Sequence, residues 1–192
     1  MRVFLAIELD SETRSALETF QRQLCELLPP INWVKPQSWH LTVKFLGEVE
    51  ESQLDPIQRA VEKAVSHSSS LSLQIEGFGG FPHLRMPRVL WAGVSGQVDE
   101  LHLLALHVDE SLSALGFPLE SKPFRAHLTL ARIKDRGREV GVALTKLDIQ
   151  EKVHFFGNLH VERLCLFKSE LRPTGAIYQR LWEVPLPLSP KV

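Results

Sequence analysis

The sequence predicts an α+β fold of two similar lobes, related by an approximate two-fold axis and facing each other across a cleft. Three observations carry that prediction. The tetrapeptides His40-Leu41-Thr42-Val43 and His127-Leu128-Thr129-Leu130 stand 87 residues apart, whereas chance placement of the histidines and threonines would give about 0.25 occurrences of His-x-Thr in the chain. Arg88-Val89-Leu90-Trp91-Ala92 echoes Arg2-Val3-Phe4-Leu5-Ala6, with 39 residues from Arg88 to His127 and 38 from Arg2 to His40. A helical pattern fills both intervals. The order strand, helix, strand therefore occurs twice, over about 2–46 and 88–133 of a single 192-residue domain, and two equivalent units pack naturally about a two-fold axis.

Each element has a local reason. Residues 3–9 (VFLAIEL), apolar except for Glu8, read as a buried strand, and Asp10 or Ser11 caps a helix that Pro29-Pro30 ends. A strand over 39–46 carries the first motif. Asp55-Pro56 places a capping residue ahead of a proline, which starts a helix over 57–66. Residues 71–75 alternate as a half-buried strand, and Gly77 to Gly80 read as a turn before the strand at 88–92. Val98, Leu101, Ala105, Val108, Leu112 and Leu115 follow three- and four-residue steps along a second long helix that Gly116 stops. A short helix over 139–147 and strands over 159–167 and 177–184 complete the domain, and residues 185–192 form a loosely ordered, proline-rich tail.

Composition narrows the classes of function. A 44% hydrophobic content supports a sizeable core, and no apolar run approaches the roughly 18 residues of a membrane span. Glu8 and Asp10 break any secretory leader pattern at the amino terminus, so a cytoplasmic protein is expected. Cys25 and Cys165 are too few for a disulfide framework and lack zinc-site spacing. The net charge of −1 does not suit a protein that coats nucleic acid. Residues 121–138 nevertheless hold Lys122, Arg125, Arg132, Lys134, Arg136 and Arg138 against Asp135 alone, and they flank the second motif.

The motifs themselves define a chemistry. Side chains two apart on a strand share a face, so each motif presents an imidazole beside a hydroxyl. Two imidazoles across a cleft supply a general base and a general acid near neutral pH, and threonine hydroxyls donate hydrogen bonds to anionic oxygens. That set suits in-line displacement at phosphorus with water as nucleophile. No nucleophile elbow or P-loop is present. His102 and His107 are five apart and diverge on a helix, and they, His154 and His160 read as structural, so no metal site is expected; His67 and His83 belong to the surface or loops.

These motifs make the chain resemble the two-histidine phosphoesterase superfamily, specifically its RNA 2′,3′-cyclic phosphodiesterase (2′-5′ RNA ligase) family. The resemblance runs from the opening Arg-Val-Phe-Leu-Ala-Ile through Trp39-His40-Leu41-Thr42-Val43-Lys44-Phe45-Leu46-Gly47 and Pro123-Phe124-Arg125-Ala126-His127-Leu128-Thr129-Leu130-Ala131-Arg132, into Leu166-Phe167-Lys168-Ser169 and Gly175-Ala176-Ile177-Tyr178. It implies lobes built as antiparallel sheets with flanking helices, and hydrolysis of RNA 2′,3′-cyclic phosphate ends to 2′-phosphomonoesters without metal or other cofactor. It also implies His40 as proton donor to the leaving 3′ oxygen, His127 as the base that activates water, and Thr42 and Thr129 as phosphate ligands. Ala126 departs from the proline that often precedes the second histidine.

Further candidates follow from the repeat. Phe45 and Arg132 each stand five residues after their histidine, and the resemblance suggests that they sandwich a nucleobase. An odd offset on a straight strand points away from the histidine face, which makes Phe45 a core residue unless the strand bulges first. Arg125, two before His127, shares its face and reads as a phosphate contact or a solvated arginine. Trp33, Trp39 and Trp91 read as core or cleft wall, and Lys44 as a residue on the His40 face at the strand end. The resemblance implies an RNA end or a small cyclic nucleotide as substrate, and the duplicated chain already contains its two-fold, so a monomer without a protein or membrane partner is expected. The alternatives are the reverse reaction, ATP-independent joining of RNA ends, and a binding module without turnover, which would not need both an acid and a base.

Overall fold

The structure is a computed structural model, and it describes residues 1–147, 149, 154–172 and 175–188. The chain runs β1 (Arg2–Glu8), α1 (Ser11–Leu27), β2 (Asn32–Trp33), β3 (His40–Glu48), α2 (Leu54–Val65), β4 (Leu71–Phe81), β5 (Val89–Gly96), α3 (Val98–Ser113), β6 (His127–Arg132), α4 (Gly137–Lys146), β7 (Phe155–Val161), β8 (Arg163–Arg172) and β9 (Gly175–Pro185). Two antiparallel sheets form, in the orders β3-β1-β8-β9 and β2-β6-β5-β4-β7. Each motif strand lies beside the strand that opened its repeat, β3 on β1 and β6 on β5. The architecture is the expected α+β pair of lobes.

Burial on both faces explains the unbroken apolar run of β1. Val3, Leu5 and Ile7 enter the main core, while Phe4 and Ala6 join Cys165, Phe167 and Tyr178 on the opposite face. At the start of α1 the Asp10 carboxylate accepts from the Thr13 N–H and the Thr13 hydroxyl, both at 2.8 Å, which satisfies an orphan donor of the first turn. The helix buries Leu17, Phe20 and Leu24, and burying each such side chain contributes about 2 kcal/mol. That face does not stay in its own lobe. Phe20 lies 5.1 Å from Phe156 and 5.4 Å from Phe78, so α1 packs on the second sheet. One hydrophobic cluster thus draws on both sheets.

Two connections clamp the motif strands side by side. The chain between α1 and β3 pairs along β6 (Asn32 with Arg132, Trp33 with Ala131), and the Val34 N–H donates to the Leu130 carbonyl at 2.9 Å. Buried Gln21 donates from one amide nitrogen to the Val34 and Leu130 carbonyls, at 2.8 and 3.2 Å. In the reciprocal place, Lys44 of β3 pairs with Asp109 of α3 and donates to the Pro118 carbonyl at 2.9 Å, and Asp109 accepts from the Glu120 N–H at 3.0 Å. Each motif strand is held by the segment that leads into the other.

Several sequence expectations need correction. Gly77 to Gly80 are not a turn: β4 runs through them to Phe81, because Gly77 (φ +78°) makes a bulge and Gly79 leaves room for the Trp91 ring, which would stand 2.1 Å from a Cβ there. The turn falls at 82–88. The single strand expected over 159–167 is two strands broken at Glu162, and they join different sheets, β7 the second and β8 the first. Helix α2 begins at Leu54, so Asp55 lies in its first turn and Gln53 occupies the cap. The tail expected from Pro185 starts pinned, since Leu186 is buried and donates its N–H to the Glu162 carbonyl at 2.8 Å; residues 189–192 lie outside the described residues. The echo of letters is one residue out of structural step: Val89 stands opposite Arg132 as Phe4 stands opposite Phe45.

Candidate active site

The two motifs adopt the same local structure. Along the first six residues of β3 and of β6, side chains alternate between half-buried and buried, then two consecutive residues are buried and the sixth is exposed. The register explains this pattern. Thr42 pairs with Ala6 and Lys44 with Leu5, so Val43 is an extra residue; Thr129 pairs with Trp91 and Ala131 with Leu90, so Leu130 is its counterpart. A bulge in each strand reverses the alternation after the threonine. Phe45 and Arg132 therefore return to the histidine face, and Phe45 is 60% exposed rather than in the core. The same bulge sends Lys44 to the opposite face, where it is 3% exposed, and the expectation that it shares the His40 face is overturned.

Both imidazoles are aimed alike. His40 Nδ1 lies 2.8 Å from the Ser38 carbonyl, and His127 Nδ1 lies 2.7 Å from the Arg125 carbonyl. A carbonyl only accepts, so each Nδ1 carries a proton and each Nε2 is left with an open lone pair in the neutral ring. Two residues on, the Thr42 and Thr129 hydroxyls are half-buried and have no hydrogen-bond partner among the described residues. Arg125 contributes its carbonyl to this arrangement, while its side chain is exposed.

The surroundings of the two rings differ. His40 sits 4.6 Å from Phe4 and meets Tyr178 edge-on at 5.1 Å. Burial lowers its pKa to about 4, and the guanidinium groups of Arg14 and Arg132 push the same way against the Ser38 hydrogen bond. Arg132, from the second repeat, thus lies within electrostatic reach of the histidine of the first. Arg14 also bonds the Pro36 and Leu9 carbonyls, which fixes the segment entering His40. His127 meets Phe81 edge-on at 5.1 Å, and Phe81 in turn lies 5.4 Å from Trp91. Of the tryptophans, Trp39 is core, Trp33 is half-buried, and Trp91 stands beside Thr129.

Sequence reasoning missed Phe4, Tyr178, Phe81 and Arg14. Phe4 was within reach of a simple pattern, since Phe4, Ala6 and Glu8 alternate on one face of β1. Tyr178 lies within a segment that carries the family resemblance but had no role assigned, and Phe81 and Arg14 come from distant segments and carry no local signal. Cys165 is no nucleophile: burial, with the Glu8 carboxylate beside it, raises its pKa to about 11. Among the described residues no group of three or more His, Cys, Asp and Glu gathers as a metal-binding set. Of the remaining histidines, His154 is half-buried against Phe20 and His107 is half-buried with His67 edge-on to it, while His67, His83, His102 and His160 are exposed.

Comparison with known proteins agrees with this geometry. The sequence profile of the LigT like phosphoesterases matches twice, over residues 7–91 and 93–178, so each match contains one His-x-Thr motif. The chain is 35% identical over 181 residues to an RNA 2′,3′-cyclic phosphodiesterase of Archaeoglobus fulgidus, covering 94% of this chain and 98% of that one. It is 32% identical over 183 residues to an RNA 2′,3′-cyclic phosphodiesterase of Thermotoga maritima, covering 95% and 94%. Among solved structures, the TT0787 protein of Thermus thermophilus superposes with a TM-score of 0.78 at 29% identity over 98% of this chain and 99% of the other. Escherichia coli LigT, solved with NADP+, shares the fold with a TM-score of 0.72 at 24% identity, over 97% of each chain. A doubled profile match, with a motif histidine in each half, places this chain in the LigT-like, two-histidine phosphoesterase family.

Proposed function

We propose that this enzyme hydrolyses RNA 2′,3′-cyclic phosphate ends to 2′-phosphomonoesters, with no metal or other cofactor. The observation that carries the reading is the equivalence of the two imidazoles, each tied through Nδ1 to the carbonyl two residues upstream, with Nε2 and a threonine hydroxyl left for a ligand. The names of the relatives at 35% and 32% identity support the substrate class. His127 takes a proton from water through Nε2 as the water attacks phosphorus. His40 gives its Nε2 proton to the departing 3′ oxygen, and Thr42 and Thr129 hold the non-bridging oxygens. Phe45 and Arg132, on the histidine faces of their strands, contact the terminal nucleoside, and Arg125 acts mainly through its carbonyl.

A donor must carry a proton, yet burial and two arginines favour neutral His40 in the free protein. The anionic substrate resolves this. Negative charge placed between His40 and Arg132 offsets the guanidinium and raises the imidazole pKa, so protonation is coupled to binding. In kcat/KM the limb near pH 4 then belongs to His40, and in kcat that limb moves to higher pH.

The division of roles is tested with a cyclic substrate whose 3′ leaving oxygen is replaced by sulfur. A thiolate leaves without a proton, so His40→Ala should recover turnover on this substrate and His127→Ala should not. Recovery of His127→Ala instead would reverse the assignment. Full activity after chelation supports the metal-free reading, and loss restored by a divalent ion overturns it. We further take the protein as a cytoplasmic monomer; the two free cysteines suit a reducing compartment, and size-exclusion chromatography with light scattering tests the monomer.

A further inference from the structure

The arginines of β8 and β9 are committed differently from those at one end of the second sheet. On β8 and β9 of the first sheet, each is in an ion pair: Arg163 with Glu183 at 3.2 Å, Arg172 with Glu170 at 3.1 Å, and Arg180 with Glu8 and Glu183 at 2.9 Å. At the far end of β5 and β6 the second sheet shows the opposite. Arg132 pairs in register with Val89, the Ile133 N–H donates to the Arg88 carbonyl at 2.8 Å, and Lys134 follows at once. The 82–88 turn packs on the start of α4, where Gly137 and Gly141 approach the backbone of Pro87 and Arg85, which brings Arg85, Arg136 and Arg138 to the same end. Arg85, Arg88, Arg132, Lys134, Arg136 and Arg138 are all exposed, and of these only Arg136 has an ion pair among the described residues, with Glu139 at 3.8 Å. Asp135 and Glu139 are the acidic residues interspersed among them.

We infer that this strip is the track for the RNA strand upstream of the reacting end. The inference rests on the proposed hydrolysis of RNA cyclic phosphate ends and adds where the body of the RNA lies. Arg132 joins the strip to the reacting groups, since it stands on the histidine face of β6 and within electrostatic reach of His40. Cations without carboxylate partners are free to release the counterions of successive phosphates, and a single strand offers such phosphates at regular intervals. The chain as a whole has a net charge of −1, so a strip this rich in cations leaves the rest of the surface unfavourable to a polyanion. The enzyme should therefore distinguish an oligonucleotide end from a cyclic mononucleotide, although both carry the same reacting group.

The test compares two substrates on one variant, Arg88→Glu with Lys134→Glu and Arg138→Glu, none of which holds the reacting phosphate. For a ten-nucleotide RNA ending in a 2′,3′-cyclic phosphate, kcat/KM should fall by at least about ten-fold, and the slope of log kcat/KM against log salt should become shallower by about 2. For a 2′,3′-cyclic mononucleotide kcat/KM should stay within about two-fold, which also shows that the variant folds. A control with the same charge change elsewhere, Arg22→Glu with Arg59→Glu and Lys63→Glu, should keep the oligonucleotide rate within about three-fold of the parent. Equal losses on both substrates, no loss on either, or an equal loss in the control would each overturn the track. Binding of the same RNA, read by fluorescence anisotropy, should weaken in parallel and reports on the strip even if the parent protein turns over neither substrate, the outcome that would refute the proposed hydrolysis.

Discussion

The His40 and His127 neighbourhoods share one backbone device and differ in nearly everything around it. Both have Nδ1 on the carbonyl two residues back, a threonine two residues on, and a bulge that returns the fifth residue to the histidine face. His40 is enclosed by Phe4 and Tyr178 with two guanidinium groups nearby, whereas His127 has the edge of Phe81 and is followed along the chain by a run rich in exposed cations. The comparison teaches where the two halves of a duplicated site diverge. The strand geometry is kept because the bulge and the backbone bond determine the aim of the ring. The surroundings diverge because they are made of side chains contributed by other segments, which the repeat does not constrain.

The comparison can be broken most directly at the imidazoles. His40→Ala and His127→Ala should each lower kcat/KM on a cyclic phosphate substrate by about 10³-fold or more with the melting temperature at neutral pH little changed. Near-normal rates in either variant would end the acid and base reading. Next is the reciprocal clamp. Lys44, with a side chain 2% exposed, faces Asp109 in a buried pair, so Lys44→Met should cost about 3 kcal/mol in urea unfolding, and adding Asp109→Leu should recover a good part of it. A cost within error would remove the clamp as a structural determinant.

A third effect reads the burial of His40 through stability. An unfolded histidine binds a proton as pH falls through 6.5, whereas His40 in the folded chain does so only near 4. Between those values the unfolded state binds more protons, so stability falls as pH drops through that window and is fully present above it. The loss should be about 2–3 kcal/mol, and His40→Asn should flatten it. Arg132→Met should raise the His40 pKa, as read by imidazole NMR, because one of the cations that lower it is gone. The smallest effect is at Phe45. If its exposed ring stacks on the terminal base, Phe45→Ala should raise KM about ten-fold and leave kcat nearly unchanged; an unchanged KM would leave Arg132 as the fifth-position contact.

Much of this protein was legible in the chain itself. The duplicated His-x-Thr motifs, their shared-face geometry and the strand, helix, strand order before each follow from spacing, because strand alternation and helical periodicity are local properties. The family resemblance followed from the same letters. Local rules failed where a residue's role is set by a partner far along the chain. Gly79 reads as a turn residue until Trp91 is placed across from it, and Glu162 gives no sign that the chain changes sheets there. Lys44 and Phe45 read with the wrong faces until the register reveals the extra residue at Val43, since a bulge is defined by the neighbouring strand. The sequence by itself thus determined which groups are the candidates for the chemistry. Tertiary structure decided how they meet, by passing the approach to each motif along the other's strand and by drawing Arg132 to His40, since charge and burial act through space.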